Sequence, residues 1–185
     1  MMKKIMALML SVMMLCGAAA FAETAEKQLM ATVSMNGTFD LRCRVPDGYT
    51  LEEVTKEEMV QVWELKPEDA ERPEMVISVG FDEMHAEIDR LNDLTDAEKA
   101  AIEATWKEEY ETEVSYMETA LGTQLMVVRE IEDGVDFVDF YTIYKGHDIE
   151  FVLLNADKDP LTDEEIAKAV QFLSDLDFVP VEEAK

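Results

Sequence analysis

The sequence predicts an α+β fold, a mainly antiparallel β-sheet covered by two principal helices, in the manner of an α/β/α sandwich. Between Gln124 and Ala156, three runs dense in Val, Ile, Phe and Tyr (QLMVVREI, VDFVDFYTIY and DIEFVLLNA) are separated by Asp133-Gly134 and Lys145-Gly146. Short apolar runs joined by tight glycine turns make an antiparallel meander. Both parities of these runs are apolar: Met126, Val128, Val138 and Phe140 on even positions, Leu125, Val127, Phe137 and Tyr141 on odd ones. Such strands require cover on both faces. Two capping boxes, Thr95-Asp96-Ala97-Glu98 and Thr162-Asp163-Glu164-Glu165, open amphipathic segments able to supply it.

Residues 1–22 read as a secretory signal. Lys3 and Lys4 precede an apolar run, and Ala20-Phe21-Ala22 offers small residues for cleavage before Glu23. A lipid anchor on Cys16 is the alternative, opposed by the bulky Leu15 just before it. Residues 23–185 then form one domain, placed outside the cytoplasm or in a cell envelope. No later run reaches the roughly 20 apolar residues that span a bilayer, so the mature chain is expected to lack a transmembrane segment. Loss of Lys3 and Lys4 takes the net charge from −26 to −28. A surface so acidic disfavours nucleic acid and anionic lipid, both of which recruit Lys and Arg. Cationic partners and calcium stay permitted, although solubility alone explains the charge.

The first hairpin alternates apolar residues at Leu29, Ala31 and Val33 and at Phe39, Leu41, Cys43 and Val45. A three-residue loop, Met35-Asn36-Gly37, puts both sets on one face by pairing Val33 with Phe39, Ala31 with Leu41 and Leu29 with Cys43. Pro46-Asp47-Gly48 breaks that ladder. Met59–Leu65 and Met75–Phe81 are the next expected strands, with a charged, proline-flanked loop between them. Ile102, Trp106, Tyr110 and Val114 recur every fourth residue, predicting a helix over about 96–113. Residues 114–122 fit either its tail or a short edge strand. The second capping box starts a helix to about Ser174 with Ile166, Val170 and Leu173 inward, and Leu176 and Phe178 close the core.

This order of features resembles the PsbP/DcrB-like family of exported α/β/α sandwich proteins. The stretches that carry the resemblance are FDLRCRVPDGY (39–49), ALGTQLMVV (120–128), YTIYKGHDIEFVLL (141–154) and FLSDLDF (172–178), within about 38–178. The segment FDEMHAEIDRLND (81–93) departs from the pattern. The resemblance implies a non-catalytic accessory, assembly or envelope role and carries no functional residue onto this chain.

The residues themselves offer little catalytic chemistry. Ile77-Ser78-Val79-Gly80 lacks the first glycine of a nucleophile elbow. Cys43, the only cysteine beyond the signal, falls in an apolar alternation and reads as core. His85 and His147 do not form a zincin motif, and His147, after a glycine turn, reads as exposed. Asp157, Asp159, Asp163 and Glu164 place oxygen ligands at alternating positions of one loop, the candidate calcium site. The sixth and twelfth positions from Asp157 are Thr162 and Lys168, against the glycine and acid of an EF-hand. The competing reading is that Asp163 to Glu165 complement a helix dipole. Trp63, Trp106, Phe137, Tyr141 and Tyr144 suit a ligand cleft or, more ordinarily, a core. The expectation is therefore a secreted or envelope-associated binding or accessory protein of unknown protein or small-ligand partner, with no cofactor required. A calcium-binding protein and a carboxylate-dependent hydrolase are the alternatives. Function is sought at the exposed turns, Asp133-Gly134 and Lys145 to His147.

Overall fold

The computed structural model describes residues 29–33, 39–57, 60–69, 72–110, 112, 114–155 and 159–181. The signal segment and the loop Met35-Asn36-Gly37 lie outside these residues. In chain order the elements are β1 (Leu29–Val33), β2 (Phe39–Arg42), β3 (Tyr49–Lys56), β4 (Val60–Pro67), β5 (Glu74–Phe81), α1 (Asp96–Tyr110), β6 (Val114–Glu118), β7 (Gln124–Glu132), β8 (Val135–Tyr144), β9 (His147–Leu154), α2 (Asp163–Leu173) and β10 (Asp177–Pro180). Single-turn 3₁₀ helices at Glu83–His85 and Leu91–Asp93 precede α1. The strands form a seven-stranded sheet, β3-β4-β5-β9-β8-β7-β6, and a three-stranded sheet, β1-β2-β10, antiparallel throughout. No helix among the described residues is long and apolar enough to cross a membrane.

The meander stands at the middle of the larger sheet. Asp133 and Gly134, and Lys145 and Gly146, all have positive φ, which makes both turns the two-residue kind matched to strand twist. Pairing of Met126 with Tyr141 and of Val127 with Phe140 sends alternate side chains to two separate clusters. Leu125, Val127, Val138 and Phe140 join Ile166, Ala169 and Leu173 of α2 together with Phe39, Leu41, Cys43 and Phe178 of the smaller sheet. Met126, Val128, Tyr141 and Ile143 join Leu91, with Ile102 and Trp106 of α1 packed against them. Both faces of the meander are thus covered, as its composition demands.

Both capping boxes form: the Thr95 and Thr162 amides donate to Glu98 and Glu165 at 2.7 Å. The first hairpin has the expected pairs Val33–Phe39 and Ala31–Leu41, but a bulge pairs Leu29 with Arg42 instead of Cys43. Helix α1 ends at Tyr110, and Val114–Glu118 is an edge strand on β7. Strand β3 had no signal in the sequence. Its Glu52-Glu53 pair and the three-residue step from Leu51 to Val54 break alternation, which an edge strand tolerates because its outer side faces solvent.

One buried ion pair holds α2 to the meander. Arg129 Nε and Nη2 donate to Asp136 Oδ1 and Oδ2 at 3.0 and 2.6 Å, Nη2 also donates to the Leu161 carbonyl at 3.0 Å, and the Leu161 amide donates to Asp136 Oδ2 at 2.9 Å. The Asp136 side chain is 4% exposed, so it depends on this partner. Arg129→Ala is expected to lower unfolding free energy in urea by about 3 kcal/mol, the lower end for a broken buried pair because Arg129 is partly solvated. Arg129→Lys should recover only part of that, since an ammonium cannot make the two-pronged contact; full recovery by lysine would contradict the account.

Candidate functional site

Strand register assembles the face beneath α1 from residues far apart in sequence. Tyr141 lies opposite Glu150, Asp139 opposite Val128 and Val152, and Ser78 opposite Glu150. Alternation adds Glu130 two residues beyond Val128 and Asp148 two before Glu150. Four strands therefore bring Ser78, Glu130, Asp139, Tyr141, Asp148 and Glu150 to one face.

Asp139, Glu150 and Glu130 form its centre. Asp139 is 4% exposed, and its Oδ1 has no hydrogen-bond partner. Burial first, then the charges of Glu150 and Glu130, hold its carboxyl well above the usual range. Burial also raises Glu150, against a hydrogen bond from Ser78 Oγ to Oε2 at 3.0 Å, and Asp148 raises it further. A carboxylate taken out of water without a counter-charge is destabilising.

Asp82, His85, Asp148 and Tyr141 form the adjoining group. His85 Nδ1 stands 2.7 Å from Asp148 Oδ1 and 3.8 Å from Asp82 Oδ2. The Tyr141 hydroxyl donates to Asp148 Oδ1 at 2.9 Å, and the Met84 amide donates to Asp82 Oδ1 at 2.8 Å. Burial and Asp148 push the Tyr141 phenol far above its ordinary pKa, so it remains a donor.

The segment 82–94 that supplies Asp82 and His85 is fixed along its length. The Asp82 amide donates to the Gly146 carbonyl, and the Lys145 and Gly146 amides donate to Asp89 and Ile88 at 2.8 and 2.9 Å. Asn92 bonds the Gly122 carbonyl and the Gln124 amide, and Leu91 is fully buried. Gly146 is required where the segment crosses: at φ +73° a Cβ there would stand 3.0 Å from the Ala86 Cα.

That crossing corrects the expectation that Lys145 to His147 form a free turn. His147 is 2% exposed. It lies edge-on to Phe39 and Phe81, with Nδ1 2.8 Å from the Lys145 carbonyl. The sequence left 82–94 without structure and so left the turn uncovered. Burial lowers the His147 pKa.

Of the expected calcium ligands, Asp157 lies outside the described residues. Asp159 is exposed, and its carbonyl accepts from Asn155 Nδ2 at 3.1 Å. Asp163 and Glu164 occupy the first turn of α2, where Glu164 pairs with Lys168 at 2.9 Å and its pKa is lowered by that contact. Among the described residues, the one group of three or more His, Cys, Asp or Glu whose ligand atoms all lie within 4.8 Å is Asp82, His85 and Asp148. Trp63, Tyr141 and Tyr144 are buried in the core, Trp106 packs against it and Phe137 is half-buried; Cys43 is a buried free thiol.

Sequence reasoning passed over Asp139, Asp148 and Glu150 because they sit singly in apolar runs among 42 acids. The available signal was that position: an acid inside a strand apolar on both faces has no solvent side to occupy. Comparison of the chain with known protein families, curated proteins and solved structures finds no match.

A carboxyl whose pKa is raised by folding supports the fold below its unfolded value and loses that support as pH rises through the folded value. At neutral pH Asp139 is accordingly a liability. Asp139→Asn is expected to stabilise the protein at about pH 8 by on the order of 1 kcal/mol, the scale of an unsatisfied buried polar group, with the gain shrinking toward about pH 4. His147 acts with the opposite sign: its lowered pKa supports the fold above the ordinary imidazole value, and that support is lost as pH falls through the lowered one. The quantity to measure is therefore the difference in melting temperature between variant and wild type at each pH. A gain independent of pH, or a loss at pH 8, contradicts the assignment.

Proposed function

We propose that the protein is an exported, non-catalytic binding protein whose acidic face receives a basic, partly apolar segment of a partner protein. The carrying observation is Asp139, a nearly inaccessible carboxylate with an unpartnered oxygen, flanked by Glu150 and Glu130. An incoming ammonium or guanidinium would supply the missing charge. Beside these acids Val62, Val76 and Val152 are half-buried and belong to neither core cluster. They offer apolar contact next to the charge, as binding sites commonly do. The proposed layering, with α1 on one face of the sheet and α2 with the smaller sheet on the other, is an α/β/α sandwich in keeping with the PsbP/DcrB-like resemblance and its accessory roles. The signal at residues 1–22 supports placement outside the cytoplasm.

Fluorescence anisotropy with a labelled Lys/Leu-rich peptide and the mature domain tests this reading. Saturable binding is expected, weakened about tenfold or more, or by 1.4 kcal/mol, in Asp139→Asn and Glu150→Gln. Glu164→Gln on α2 should leave it unchanged. Equal loss in all three would mean diffuse attraction to an acidic surface and would reject the site, and turnover in a broad hydrolase screen of the mature protein would reject the non-catalytic reading.

A further inference from the structure

We infer that Asp82, His85 and Asp148 form a binding site for a divalent transition-metal ion. This site is separate from the peptide-binding reading, which rests on Asp139 and Glu150. The set offers one imidazole nitrogen and two carboxylate oxygens, all within 4.8 Å of one another. Ligands about 2.0–2.1 Å from a tetrahedral ion stand about 3.4 Å apart. The observed separations from His85 Nδ1, 2.7 Å to Asp148 Oδ1 and 3.8 Å to Asp82 Oδ2, bracket that value. To reach one ion the His85–Asp148 separation opens by about 0.7 Å and the His85–Asp82 separation closes by about 0.4 Å, within the reach of side-chain rotation.

The surroundings fit a cation better than a closed ion pair. Two carboxylates face one imidazole, so the group is anionic whether His85 is protonated or neutral. The ion pairs made by Asp82 and Asp148 are both with His85. Behind them on the same face lie Glu150, whose carboxyl senses Asp148, and Asp139, whose buried Oδ1 has no partner. When ionised these add negative potential, and no described ion pair joins either of them to a cation. Each carboxylate also has an orienting donor, Met84 N–H for Asp82 and the Tyr141 hydroxyl for Asp148, the arrangement that orients metal ligands. Side-chain exposures of 18% for His85, 29% for Asp82 and 26% for Asp148 leave solvent access for entry and for water ligands.

The ligand chemistry selects the class of ion. An imidazole with two carboxylates suits zinc, manganese, cobalt or iron(II). Calcium asks for six to eight oxygens and gains little from a nitrogen. Binding requires neutral His85, with Nδ1 on the metal and the proton on Nε2, so affinity falls as His85 is protonated. The ion would join the 82–94 segment to β9 beyond the existing hydrogen bond.

Calorimetric titration of the metal-free mature protein with zinc chloride, manganese chloride and calcium chloride tests the site. Saturable one-to-one binding of zinc and manganese, with calcium much weaker, is expected. His85→Ala should abolish it, and Asp82→Asn should weaken it about tenfold or more while keeping an oxygen to accept the Met84 amide. With only two histidines in the chain, ring NMR gives a second reading that needs no variant: zinc should shift the His85 resonances far more than those of buried His147. Absence of saturable zinc and manganese binding overturns the inference. So does zinc affinity unchanged in Asp82→Asn together with an unshifted His85, which would mean scattered binding to surface acids. Loss of peptide binding with the zinc site intact would bear only on the proposed function.

Discussion

Strand β8 sits between β7 and β9 with neighbours on both edges and packed side chains above and below. Its apolar residues fall on both faces, so neither face can be left to water. Each cover follows from this constraint. On one side α2 and the smaller sheet meet Val138 and Phe140; on the other α1 and Leu91 meet Tyr141 and Ile143. Helix α1 has limited apolar surface of its own: Glu103 ties it to β6 by accepting from the Tyr116 hydroxyl at 3.0 Å. Packing on the sheet, more than intrinsic propensity, accounts for its position.

The two covers differ in chemistry. Beneath α2 the buried acid, Asp136, is met by a two-pronged arginine and a backbone amide, and its charge serves to fix the chain entering the helix. Beneath α1, Asp148 and Glu150 are met by hydroxyls and a histidine, and Asp139 keeps one oxygen without a partner. A fold seeking only stability would neutralise Asp139 or replace it with a branched aliphatic residue like its neighbours Val128 and Val152. A buried acid without a counter-ion costs stability, a cost that a protein can carry where function needs the group. The difference between these two environments, within one sheet, is the basis for proposing a binding role for the α1 side.

Much of the scaffold was legible because it rests on local rules. Glycine turns, capping boxes and apolar runs located the meander and both helices, and two of the three expected hairpin pairs followed from which alternation shares a face, the third being displaced by a bulge. Strand β3 was not legible, since its glutamates deny it a pattern and its place depends on β4. The segment 82–94 was likewise opaque: its structure comes from bonds to Gly122, Gln124 and the β8–β9 turn, contacts made only after the sheet exists. The acidic face is non-local in the same way. Asp82 and His85 have the spacing of one helical turn, but Asp148 lies 63 residues beyond His85, and nothing short of the register places Glu130 and Glu150 on either side of Asp139.

Asp139 is a buried acid and Glu150 a half-buried one, and among the described residues neither forms an ion pair with a cation. Carbon NMR of their side-chain carboxyls across a pH titration addresses it without any variant. The account predicts that both resonances change at a pH clearly above the ordinary carboxyl range, while exposed acids such as Glu98 and Glu164 change at or below it, and that a bound basic peptide draws both transitions downward. Transitions of Asp139 and Glu150 within the ordinary carboxyl range would contradict it.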